Sequence, residues 1–304
     1  MESRDECIAR IVRLKAARGA VILAHNYQRG EVQDIADFTG DSLELSRRAA
    51  ATDARVIVFC GVYFMAESAR ILNPNKTVLL PEREAGCPLA EMLDAAQLRD
   101  WKAAHPGRPV VTYINSSAAV KAESDICCTS SNAASVVESL DAQEILFGPD
   151  MNLGAWVQAH TRKRLIVWNG YCATHAWVRP EEILDAKRAH PNAVVVAHPE
   201  CGPKITALAD RVCSTSGMLA FVRSSPAEEF IIVTEAGMLH RLSRDNPGTR
   251  FHLGSPRLFC PNMKRTTLAS VAESLERMQH EIRVEEGIRL RAARALERML
   301  EVRA

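Results

Sequence analysis

The chain has 304 residues, 47% of them apolar and 25% charged, and its 38 basic and 37 acidic side chains leave a net charge of +1. That length and apolar content support a sizeable core spread over about two ordinary domains, while the charge balance excludes a strongly basic nucleic-acid binder and an acidic tail. The longest strongly apolar uncharged run, Val56 to Ala66, covers 11 residues, short of the roughly 20 that cross a bilayer. The charged start, Met1-Glu2-Ser3-Arg4-Asp5-Glu6, has no apolar h-region. The expectation is a cytoplasmic protein without membrane or nucleic-acid partners, its nine cysteines reduced thiols or metal ligands.

Residues 1 to 18 read as an amphipathic helix, with Ile8, Ile11, Val12 and Leu14 apolar and Gly19 ending it. A pattern then occurs three times. Its first strand is Ala20–His25, Val110–Asn115 or Ala193–His198. Gly40-Asp41-Ser42, Cys128-Thr129-Ser130 and Cys213-Ser214-Thr215 each open a helix, with Ser42, Ser130 and Thr215 expected as N-caps. A second strand follows (Val56–Phe59, Ile145–Phe147, Phe230–Val233), then a helix near Met65, Met151 or Met238. A third strand (Thr77–Leu80, Leu165–Trp168, Arg250–Leu253) precedes one cysteine: Cys87, Cys172 or Cys260. These landmarks share a period of about 86 residues. Residues 265–304 read as one or two charged helices.

Strands alternating with helices, and nearly continuous in apolar character, predict an α/β fold with parallel sheets. Three similar α/β units are expected, over residues 1–88, 89–174 and 175–264, with 265–304 packed back on the first. In such sheets functional groups gather at the carboxyl ends of strands. Units disposed about a pseudo-threefold axis would aim those ends, and one cysteine each, at a shared central site.

Three thiolates with an open position make a catalytic metal site. A [4Fe–4S] cluster on three cysteines would keep one iron free as a Lewis acid, and zinc is the competing metal. Of the remaining cysteines, Cys7, Cys60, Cys127, Cys128 and Cys213 read as buried small hydrophobes. Cys201 follows His198-Pro199-Glu200 at a site-facing end. Alternation pairs His25 with Tyr27, Tyr113 with Asn115, and His198 with Glu200 on one face each. His175 lies three residues beyond Cys172. Glu200 is the only carboxylate at the three first-strand ends and is the expected general base. His105, His160, His190, His240, His252 and His280 read as surface or packing residues. Helix starts bearing Ser42, Ser130 and Thr215 would bind an anionic substrate.

At this point the residues resemble a known family. Ala24-His25-Asn26-Tyr27-Gln28, Gly40-Asp41-Ser42-Leu43, Tyr113-Ile114-Asn115-Ser116-Ser117, Cys128-Thr129-Ser130-Ser131-Asn132, Gly170-Tyr171-Cys172-Ala173-Thr174-His175, His198-Pro199-Glu200-Cys201 and Cys260-Pro261-Asn262-Met263-Lys264 are similar to the blocks of the quinolinate synthase (NadA) family, in family order. The resemblance implies three α/β domains and a [4Fe–4S] cluster on Cys87, Cys172 and Cys260. It implies condensation of iminosuccinate (iminoaspartate) with dihydroxyacetone phosphate to quinolinate, phosphate and water, for NAD biosynthesis. His25, Ser42, Tyr113, Asn115, Ser130, His198, Glu200 and Thr215 match substrate-contacting positions, and Tyr27 and Glu200 match acid/base positions. Functional coupling to an iminoaspartate-producing enzyme is a further expectation. The relatives' extra cysteines near the last ligand are missing here, which argues against a disulfide switch at that point. The rival readings are another [4Fe–4S] hydro-lyase acting on a hydroxy-acid, and an iron–sulfur sensor or zinc-bound binding protein.

Overall fold

The computed structural model describes residues 2–302. Ser3 and Glu6 form a capping box that starts α1 (Arg4–Arg18), and Gly19, at φ +57°, ends it in the left-handed conformation that glycine adopts without strain. The first unit continues through β1 (Ala20–His25), α2 (Gly30–Asp34), β2 (Phe38–Gly40), α3 (Ser42–Ala51), β3 (Val56–Cys60), α4 (Tyr63–Leu72), β4 (Thr77–Leu79) and α5 (Pro88–Glu91). The second repeats that order with α6 (Ala95–Ala104), β5 (Val110–Tyr113), α7 (Ala118–Ala122), β6 (Ile126–Cys128), α8 (Ala133–Ser139), β7 (Glu144–Gly148), α9 (Met151–Gln158), β8 (Arg164–Val167) and α10 (Ala173–Ala176). The third has α11 (Pro180–Ala189), β9 (Val194–Ala197), α12 (Pro203–Thr206), β10 (Arg211–Val212), α13 (Thr215–Ser224), β11 (Glu229–Val233), α14 (Met238–Asp245), β12 (Arg250–Leu253) and a 3-10 turn over Asn262–Lys264. Two helices follow, α15 (Leu268–Arg277) and α16 (Glu286–Glu301).

The fold is α/β, built on three four-stranded parallel sheets of one topology: β2-β1-β3-β4, β6-β5-β7-β8 and β10-β9-β11-β12. Each contains one strand more than the sequence pattern predicts. The additional edge strands β2, β6 and β10 are two or three residues long, too short to show a period.

The alternation of strand side chains divides each sheet between two cores. Val21 and Leu23 of β1, Val111 of β5, and Val196, Phe230 and Ile232 of the third sheet enter one continuous cluster that spans all three units. Ile22 and Ala24, Val110, and Val195, Ile231 and Val233 face away, into a separate cluster for each sheet. The final helices close the assembly. The α15 helix packs on α1, and α16 lies across α4, α7 and β6.

The helix starts differ from the expectation by one residue or more. Asp41 caps α3 and Ser214 caps α13, so Ser42 and Thr215 occupy the first helical position. In the second unit Asn132 precedes α8 and Ser130 sits in the turn before it. The three starts meet. Ser131 Oγ donates to Asp41 Oδ2 at 2.6 Å and lies within hydrogen-bond distance of Ser214 Oγ, at 2.9 Å, and Ser216 Oγ also donates to Asp41. One hydrogen-bonded knot therefore joins all three units.

Asp41→Ala removes a cap and leaves two partly buried hydroxyls without their acceptor. We expect a loss of about 2–3 kcal/mol of stability, read as a lower urea midpoint at unchanged m-value; a midpoint equal to the wild type's would deny the knot an energetic role.

Candidate active site

The thirteen residues singled out from the sequence come from all three units, and all line one cavity of about 450 Å³. His25 ends β1, and Tyr27 follows it in a turn that returns the Tyr27 N–H to His25 Nδ1 at 3.2 Å. The third unit repeats this device: the Glu200 N–H returns to His198 Nδ1 at 3.3 Å. Each ring is left with Nε2 for the cavity, where that of His198 reaches Ser130 Oγ at 3.2 Å; the hydrogen-bond network sets this tautomer. Burial, the largest influence on both rings, lowers His25 to about 4 and His198 to about 3, so both are neutral at pH 7.

Glu200 occupies the centre of the site. Tyr113 Oη donates to its Oε1 at 2.7 Å and Asn115 Nδ2 to the same oxygen at 3.3 Å, while His175 Nδ1 stands 2.8 Å from Oε2. Burial pushes this carboxyl upward, but His175, His198 and the donated hydrogen bonds outweigh it and hold it ionised, at about 2. The far nitrogen of His175, Nε2, lies 2.9 Å from Thr234 Oγ1, which is 2.6 Å from Tyr27 Oη. With Nδ1–H donating to Glu200, these contacts link Tyr27, Thr234, His175 and Glu200 in one hydrogen-bonded chain. Burial and the negative charge of Glu200 raise the Tyr27 phenol well above its usual value, so it keeps its proton.

The three cysteines occupy equivalent positions. Cys87 and Cys172 are the residues just before α5 and α10, and Cys260 precedes the turn at Asn262–Lys264. Burial raises all three thiols, Cys87 to about 12. Opposing it, the backbone amides of Leu89 and Ala90, of His175, and of Asn262 and Met263 favour the respective thiolates. Two buried carboxylates hold these loops: Asp150 Oδ2 accepts the Cys172 N–H at 3.1 Å, and Glu235 Oε1 accepts the Cys260 N–H at 3.1 Å. Glu235 is itself paired with Lys264 at 2.8 Å.

Thr234, Asp150 and Glu235 escaped the sequence reading. Asp150 and Glu235 lie one and three residues before the Met landmarks of their units, so the repeat register was the signal that could have found them. Cys201 is buried with its Sγ toward the Val233 carbonyl, 3.5 Å away, and is absent from the cavity wall.

A family described as "Quinolinate synthetase A protein" (NadA) matches residues 9–301. The chain belongs to the NadA family. Among curated relatives, the quinolinate synthase of Geobacter sp. (strain M21) is 59% identical over 285 residues, covering 94% of each chain. That of Geotalea uraniireducens is 55% identical over 299 residues and 98% of each chain. That of Dehalococcoides mccartyi (strain ATCC BAA-2266 / KCTC 15142 / 195) is 57% identical over 293 residues, 96% of this chain and 97% of its own. Among the described residues of this NadA-family chain, no helix is long and apolar enough to cross a membrane.

The buried neutral histidines tie folding to pH. An unfolded histidine binds its proton near pH 6.5, whereas folded His25 and His198 do so only near pH 4 and 3. Between those limits the unfolded chain holds more protons, so stability should fall as pH drops from about 6.5 toward 4. Replacing His25 by Gln should make the fall shallower by close to one proton, measured from urea midpoints at pH 7 and pH 5. An unchanged slope would mean that His25 is charged in the folded protein.

Proposed function

We propose that the protein condenses iminosuccinate with dihydroxyacetone phosphate to give quinolinate, phosphate and water in the cytoplasm, for de novo NAD synthesis. Membership of the NadA family and its quinolinate synthase relatives support the reaction. The observation that carries the reading to this chain is the single cavity walled by three cysteines and the hydrogen-bonded chain from Tyr27 to Glu200. Its volume suits two small acids or their condensed product.

Cys87, Cys172 and Cys260 would hold a [4Fe–4S] cluster. The donor set fits: three soft sulfurs from three units, each favoured as a thiolate by amides of the turn that follows. A single tetrahedral zinc with bonds of about 2.3 Å would require the sulfurs about 3.8 Å apart. Cys172 instead gathers within 4.8 Å of His175 and Glu200, in a set that includes neither Cys87 nor Cys260. That trio is already satisfied by its own hydrogen bonds. When bound, the cluster supplies an iron without a protein ligand, a Lewis acid for a departing hydroxyl.

The protein's own groups do the rest. Ser42, Ser130 and Thr215, with the N-terminal ends of α3 and α13, present hydroxyls and amides to carboxylates and phosphate. The Nε2 faces of His25 and His198 orient substrate oxygens. Tyr27 delivers a proton, and the chain through Thr234 and His175 to Glu200 replaces it or receives one. Glu200 is a weak base while Tyr113, Asn115 and His175 all donate to it; substrate that takes over one of these donors raises its basicity. The reading also sets an iminosuccinate-producing enzyme immediately upstream.

Anaerobically prepared protein should contain iron and sulfide near four of each per chain and form quinolinate only when both substrates are supplied. Cys172→Ala should lose both metal and turnover, and a fully active Cys172→Ala enzyme refutes the ligand set. Glu200→Gln should keep the wild-type iron content and lower kcat by at least about 100-fold. Normal turnover there removes Glu200 from the proton path. Conversion of a hydroxy-acid without consumption of the triose phosphate would favour a simple hydro-lyase.

A further inference from the structure

The third sheet has a second cluster of ligating side chains, on the outer face of the molecule. Glu229 opens β11, and His252 lies two steps further along on β12, in register with Ile231. Glu229 alternates with Ile231 and Val233, which point into the outer cluster beneath α11. His190 ends α11 and reaches the same spot. His252 lies in the strand that the sequence pattern placed over Arg250–Leu253, where it had read only as a surface or packing residue.

We propose that His190, Glu229 and His252 form a binding site for a divalent first-row transition ion of the zinc type. Glu229 Oε1 lies 3.2 Å from His190 Nδ1 and 2.8 Å from His252 Nε2, and the three ligand atoms all lie within 4.8 Å of one another. A tetrahedral ion with bonds of about 2.0–2.1 Å has its ligand atoms about 3.3–3.4 Å apart, so the side chains already stand near the required spacing. Two imidazoles and one carboxylate suit zinc and its neighbours better than magnesium or calcium, which take oxygen ligands. The side chains of His190, Glu229 and His252 are 31%, 14% and 27% exposed, which leaves a path for the ion and room for a water as fourth ligand.

Two features must adjust. The imidazole rings stack with centroids 3.5 Å apart and 16° between their planes, so they tilt toward each other to converge on an ion. Arg250 holds the other oxygen of Glu229 at 3.2 Å, but its side chain is 64% exposed and leaves Oε1 free for the ion. To ligate, His190 Nδ1 and His252 Nε2 must each present a lone pair, so any N–H bond at that nitrogen breaks and its proton passes to water, with a new N–H bond on the opposite ring nitrogen keeping the imidazole neutral. The ion would pin the end of α11 to two strands far from it in sequence. The site lies at the amino end of β11 beside β12, and none of its residues lines the large cavity, so it is independent of the reaction proposed above.

The test is zinc titration of the cluster-loaded protein under anaerobic conditions, followed by calorimetry and by thermal melting. Wild-type protein should bind one more zinc per chain than the variant carrying His190→Ala and His252→Ala, and zinc should raise the melting temperature of the wild type alone. Glu229→Gln, which preserves shape and removes the charge, should weaken that extra zinc at least tenfold. Quinolinate formation should be unchanged in all three proteins. Zinc bound by the catalytic cysteines is common to all of them and cancels in the comparison. If the double variant does not fold, His190→Gln at the exposed helix end serves in its place. Equal zinc stoichiometry and affinity in wild type and variants overturns the proposal.

Discussion

The cavity depends on the contact between Ser131 and the two caps Asp41 and Ser214. Three sheets of identical topology need not aim at one point; what makes them do so is that a helix from each begins at the same hydrogen-bonded spot. Fixing those starts also fixes the strand ends beside them, because each helix follows an edge strand within a few residues. A buried aspartate held by several hydroxyls satisfies its own lone pairs and leaves the backbone donors of the helix ends directed inward. The anion-binding character of the wall and the assembly of the units thus come from one arrangement.

The same economy governs the reactive groups. The histidines, tyrosines and carboxylates that line the cavity are buried, and burial alone would neutralise them all. His25 and His198 follow that rule, whereas Glu200 escapes it because three donors from the second unit surround it. Its charge then keeps the Tyr27 phenol protonated from a distance. One ionised carboxylate ringed by hydrogen-bond donors is a polarised environment set before substrate arrives. Lys264, the lysine at the cavity's edge, is committed to Glu235.

Much of this architecture was legible in the chain. The 86-residue period located three units and one cysteine in each, because those positions repeat at the level of whole elements. What escaped had a physical reason. Asp41-Ser42 and Ser214-Thr215 each offer two good capping residues in succession, and only the backbone torsions choose between them. Strands as short as Arg211–Val212 carry no period. Thr234 gains its role from contacts with Tyr27, 207 residues away, and with His175, 59 residues away, a relation that no local pattern encodes. The outer-face histidines were passed over because each alone is unremarkable; the parallel register of β11 and β12 is what unites them.

The C-terminal helix has a bearing on how the protein is made. Asn132, the residue before α8, donates its side-chain amide to the Met299 carbonyl at 3.2 Å, so α16 supports a helix start in the middle unit. Cys260 and α16 both follow the first two units in the chain. During translation those units leave the ribosome with an unfinished pocket between them, lacking one cysteine of its wall and this brace. A truncation that removes Met299 would take away the brace while sparing every residue of the pocket wall.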